Sequence, residues 1–134
     1  MWRGIGRILT GCTFALMVVA TPGCGGAVRQ IAMNAVASEI TSANRSVIPK
    51  LASSANPTGQ GVLVFVRASD CGPQYAWLWL NDGIPPYAVD SASQGLTPRL
   101  QVLSDAPADV WRSIGSEPKK YQTQVRDAIC ASTW

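Results

Sequence analysis

One cysteine stands where thiol chemistry is possible. It lies in "VLVFVRASDCGPQ", Val62 to Gln74, an apolar run that breaks into a short polar turn and then into Cys-Gly-Pro-Gln. Cys71 is the candidate nucleophile. A cysteine at position 74 would complete a Cys-x-x-Cys dithiol, but Gln74 stands there, so exchange within such a pair is impossible. At the start of a helix, unpaired backbone N–H groups favour a thiolate. Asp70 opposes this, because one negative charge disfavours a second beside it. Cys71 is left with a mixed disulfide to a thiol-bearing partner protein, a lasting disulfide within the chain, or no chemistry.

Other chemistries are limited by what the chain lacks. Histidine is absent from all 134 residues, which excludes Ser-His-Asp and Cys-His catalysis within the chain and any zinc site that needs imidazole. The carboxylates Asp82, Asp90, Asp105 and Asp109 are spread over turns and helix caps, and form neither an acid/base pair nor a calcium loop. No metal ligand set and no cofactor motif is expected. The formal charge is +3, and Arg3 and Arg7 at the very start supply two of those charges. The remainder is close to neutral, so no nucleic-acid partner is indicated.

The elements that must position Cys71 follow an N-terminal address. "MWRGIGR" is basic, and Ile8 to Ala20 is a mostly apolar stretch of 13 residues. As a helix it rises only about 20 Å, short of a roughly 30 Å hydrocarbon core. It reads as the h-region of a secretory signal. "TPGCGG" follows, and Gly23 before Cys24 resembles the lipobox of bacterial lipoproteins, whose cysteine is acylated and becomes the new N-terminus. The first domain boundary then falls after residue 23. Cys24 is the lipidation candidate, membrane lipid its partner, and Gly25-Gly26 a tether. A plain signal peptide and an uncleaved anchor are the alternatives. Each places the rest of the chain outside the cytoplasm, in a bacterial cell envelope or secreted, where disulfides are permitted.

Residues 24–60 comprise this tether, an amphipathic helix over Ala27–Ile40 and a Ser-, Asn-, Pro- and Gly-rich loop with one helical turn near Val47–Leu51. Residues 61–134 form the domain. "GVLVFV" reads as a strand buried on both faces, as in the centre of a parallel sheet. "QYAWLWLND" has helical length, with Trp77 and Trp79 on roughly opposite sides. Ile84–Asp90 and Leu100–Asp105 read as further strands, and Ser91–Arg99 as a loop or one short helix. Ala106–Gly115 reads as a helix capped by Asp105 and ended by Gly115. The stretch after Ser116 contains a strand over "YQTQV", or is a helix from Glu117 to Cys130. This order implies an α/β fold with a mostly parallel sheet.

The segment around Cys71 resembles the first active-site segment of thioredoxin-like proteins: an apolar strand, a short turn, then Cys-Gly-Pro opening a helix. "LQVLSDAPADVWRSIG" is similar to a later segment of the membrane-anchored and peroxiredoxin-like members. "GSEP" places Pro118 where the family carries a cis-proline facing the cysteine. The resemblance spans Gly61 to Tyr121 and implies an incomplete thioredoxin-like layer fold with single-cysteine thiol-disulfide exchange. Gln74 replaces the resolving cysteine, Asp70 the usual tryptophan, and Ala68 the Thr or Ser of peroxiredoxins, which implies a truncated or degenerate member. A small exported binding or structural domain without catalysis is the other reading.

Counting cysteines leads to a pair. Processing at Cys24 removes Cys12 and occupies Cys24, which leaves Cys71 and Cys130 as two thiols in an oxidising compartment. A disulfide between them needs their Cα atoms within about 7 Å. A C-terminal helix packed on the sheet would bring Cys130 toward the turn that holds Cys71. The alternative leaves both thiols free.

Overall fold

The computed structural model describes residues 22–43, 50–66, 71 and 74–132. Two compact units divide the chain, Met1–Ile31 and Ala32–Trp134. The stretch up to residue 21, where a signal segment is expected and Cys12 lies, is outside the described residues, as is most of the helical turn expected near Val47. Helix α1 runs Pro22–Ser42. Cys24 is within its backbone span, and the Cys24 side chain lies outside what is described. None of the described helices is long and apolar enough to cross a membrane.

The sheet overturns the expected mostly parallel, thioredoxin-like layer. Four strands, β1 (Ala52–Ala55), β2 (Val62–Val66), β3 (Tyr75–Trp79) and β4 (Tyr87–Ala88), lie in chain order and every neighbouring pair is antiparallel. The physical reason is the length of the connections. Eight residues, 67–74, join β2 to β3, whereas a parallel return needs a crossover of a dozen or more. "YAWLW", expected in a helix, is therefore the strand that pairs with "VLVFV" over its whole length, from Val62 opposite Trp79 to Val66 opposite Tyr75. Five apolar residues suit a doubly covered strand better than a helix of ten or more. The third expected strand shrinks to one parallel bridge, Ala88 to Val102, followed by a 3₁₀ turn at Leu103–Asp105.

Both faces of the sheet are covered, and the strand period sorts the side chains. Val62, Val64, Trp77 and Trp79 point to one face and pack with Ala32, Val36 and Ile40 of α1 and with Leu100. Trp77 and Trp79 therefore share a face instead of opposing each other, because residues two apart on a strand do so. Leu63, Phe65, Ala76 and Leu78 point to the other face. They meet Ile114 of helix α3 (Ala108–Ile114) and Tyr121, Val125 and Ile129 of helix α4 (Pro118–Ala131). These last three recur every four residues, which is the helical stripe the sheet demands.

The turns between elements are fixed by specific groups. Helix α2 (Ser91–Leu96) starts at Asp90, whose carboxylate accepts from the Ser93 N–H. Helix α3 starts from Pro107, and Asp105, expected to cap it, belongs to the 3₁₀ turn. Gly115 closes α3 in the left-handed region at φ 76°, where glycine has no Cβ to clash. The β1–β2 loop is seated on that helix end. Thr58 donates to the Ile114 carbonyl at 2.7 Å. Asn56 is buried, donates to the Gln60 carbonyl and accepts from the Tyr121 hydroxyl at 2.6 Å. Burial holds the Tyr121 phenol well above its ordinary value.

Candidate functional site

Cys71 and Cys130 are joined by a disulfide, with their Cα atoms 5.4 Å apart and 59 positions between them in sequence. Cys71 stands in the β2–β3 connection at φ 59°, the one non-glycine residue with a positive φ among those described. Cysteine rarely occupies that region, since its Cβ crowds the backbone there. Cys130 lies on the last turn of α4 and is exposed, while Cys71 is half-buried. The bond therefore ties the connection between the two central strands to the end of the C-terminal helix. A nucleophilic role for Cys71 requires a thiolate, and in this disulfide its sulfur is already bonded.

Pro118 takes a different place from the one expected. It sits in the first turn of α4, where its missing N–H costs nothing and its fixed φ suits the helix. No peptide bond among the described residues is cis. The cis-proline assignment is corrected accordingly: "GSEP" leads into a helix, and does not turn back toward a cysteine.

Beside the disulfide lies an open cleft of about 550 Å³. Its floor is the edge of the core, Ala76, Val89, Val125 and Ile129, all buried. The disulfide forms one end through Cys71. The remaining wall is polar apart from Ala92: Gln74 and Asp90 are half-buried, and Gln122, Thr123 and Arg126 are exposed along one side of α4. Three elements far apart in sequence thus supply one concavity, within the size range of small-ligand sites.

Asp90 is held firmly. Its Oδ1 accepts from the Ser93 N–H at 2.8 Å and from the Ser93 hydroxyl at 2.7 Å. The same Ser93 oxygen accepts from the Ala76 N–H at 2.9 Å, so α2 completes the hydrogen bonding of β3 where β4 has ended. Ser93 in turn gives its carbonyl to the Thr97 hydroxyl, which accepts from the Trp77 indole at 3.0 Å. This buried chain runs from the cleft to the opposite face of the sheet. Arg126, across the cleft on α4, has only a 3.9 Å approach to its neighbour Asp127 among the described residues. It forms no ion pair with Asp90.

Two buried N–H donors have no partner among the described residues, the Trp111 indole and the Gln74 amide nitrogen. Trp111 is packed edge-on against Tyr121, with ring centroids 5.9 Å apart. Gln74 lines the cleft. An unpaired buried amide costs roughly 1–3 kcal/mol, so an acceptor offered there would be held well. No group of His, Cys, Asp or Glu able to hold a metal ion occurs among the described residues.

Sequence reasoning singled out Cys71 and Cys130 but missed the cleft. Asp90 is one of four carboxylates that the sequence spreads over turns and caps, and in the structure it caps α2, while Gln74 stood out only for not being cysteine. The signal that pointed to both is weak: a carboxylate before a short helical stretch and a glutamine three positions after a cysteine. No protein-family model, no curated protein and no solved structure matches this chain, and no family assignment is supported.

Proposed function

We propose that the chain is a small exported domain without catalysis, stapled by Cys71–Cys130, that binds a partner or ligand outside the cytoplasm. The disulfide is the observation that carries this reading. It uses both cysteines that remain once the N-terminal segment is processed, and a lasting disulfide belongs to an oxidising compartment. The basic start, the 13-residue apolar run and "GCGG" support export, with acylation at Cys24 as the means of attachment to membrane lipid. One or more acyl chains would supply most of the membrane affinity, at about 0.8 kcal/mol per buried CH₂. The cleft beside the staple, with its apolar floor and polar groups along the wall, supports binding over chemistry.

Alkylation of the exported, unreduced protein under denaturing conditions tests the reading. Neither Cys71 nor Cys130 should be labelled, and the protein should not turn over insulin disulfides in the presence of a reductant. Two labelled thiols, or turnover above the uncatalysed rate, would sink it. Intact mass after membrane extraction tests the attachment: a mature chain beginning at Cys24 and carrying lipid is expected, and a water-soluble product beginning elsewhere contradicts it.

A further inference from the structure

We infer that the cleft between α2 and α4 takes a small zwitterion, an α-amino acid or a short peptide with free termini. This rests on the binding reading above and names its ligand class.

The inference comes from how charge is placed. Asp90 and Arg126 line one cleft from two different elements and are not paired with each other. Opposite charges free to approach would pair. Asp90 is instead held back, because Oδ1 is committed to the Ser93 N–H and hydroxyl. Among the described residues Oδ2 has no hydrogen-bond partner, so one carboxylate oxygen is left to accept from a cation. Arg126 offers a planar fork of N–H donors that matches a carboxylate. Gln74 adds a buried N–H that lacks an acceptor in the same wall. An ammonium at Asp90, with a carboxylate reached by Arg126 and Gln74, satisfies all three groups at once. A simple anion would leave Asp90 facing negative charge, and a simple cation would leave Arg126 and Gln74 unanswered.

The floor restricts the ligand further. Ala76, Val89, Val125 and Ile129 present buried apolar surface to the cleft, so an aliphatic side chain is favoured over a polar one. The cleft of about 550 Å³ leaves room for more than one residue.

Calorimetric titration of the purified oxidised protein with L-leucine, dileucine and trileucine tests this. At least one should bind with Kd below about 1 mM. Acetylating its amine or amidating its carboxylate should each weaken binding tenfold or more. Asp90→Asn keeps a capping oxygen while removing the charge, and Arg126→Gln alters an exposed side chain. Each should lose at least tenfold, with the circular dichroism spectrum unchanged. Should Asp90→Asn fail to fold, Arg126→Gln and the blocked peptides still decide. No binding by any of the three, or equal binding by the blocked forms, overturns the inference. The staple itself is judged by the alkylation experiment, so a protein with both cysteines protected and no affinity for these probes defeats the ligand assignment alone.

Discussion

Asp90 and Tyr121 show what single polar groups do here. Asp90→Ala removes the cap of α2 and the acceptor of the Ser93 hydroxyl. A loss of about 1–2 kcal/mol in chemical denaturation is expected, whereas Asp90→Asn should stay within about 0.5 kcal/mol of the parent. Tyr121 leads to a pH dependence. Its folded-state pKa is raised by burial, and the unfolded value is 10.0. The unfolded chain therefore loses the phenol proton first. The contribution is fully present below pH about 10 and is lost as pH climbs toward the folded value. Denaturation midpoints measured from pH 8 to 11 should be flat and then fall, and Tyr121→Phe should flatten the fall. At pH 8 that variant should itself cost about 1–3 kcal/mol, because Asn56 Oδ1 loses its donor. A variant that falls as steeply as the parent would remove Tyr121 from the account.

Elements meet through close backbone approaches as much as through side chains. Gly59, in the β1–β2 loop, is the clearest case. A Cβ there would stand 2.6 Å from the Ile114 carbonyl oxygen and 2.8 Å from that of Ser113. Gly59→Ala should lift the loop off the end of α3 and cost about 1–3 kcal/mol by overpacking. Unchanged stability would mean that the loop is not seated there. Such approaches were invisible in the sequence, and so was β1, since "ASSA" has no apolar pattern and is fixed by its register with β2. Strand β2 was legible from five β-branched and apolar residues in a row. Helix α3 was legible from Gly115, and a helix reaching Cys130 was one of two readings of the last segment. Strand β3 was misread because a short aromatic run satisfies helix and strand alike. The error spread: once "YAWLW" is a crossover helix, β2 and its successor must be parallel. The cleft needed all of these placements at once, because Gln74, Asp90 and Arg126 become neighbours only through the antiparallel return.

Over the whole molecule, the staple closes a loop that contains β3, β4, α2, α3 and nearly all of α4. In the chain-entropy picture, closing about 60 residues removes roughly 4 kcal/mol from the unfolded state. That is a large part of the 5–15 kcal/mol that typically holds a small domain. Reduction should lower the denaturant midpoint accordingly, and a Cys71→Ser, Cys130→Ser double variant should match the reduced protein. Equal midpoints for oxidised and reduced protein would show that the bond contributes nothing. The same closure alters how the molecule bears a load. Stretched between its two ends, the oxidised chain transmits tension across the sulfurs, and the 59 positions from Cys71 to Cys130 never lengthen. Cutting the bond with a reductant in an optical trap should release roughly 200 Å of hidden contour, at ~3.6 Å per residue. The force-bearing part of the oxidised domain is thus only the stretch before Cys71. For a chain held at its front end and pulled beyond Cys130, extension would come from the stretch before Cys71 while the span between the two sulfurs kept its length.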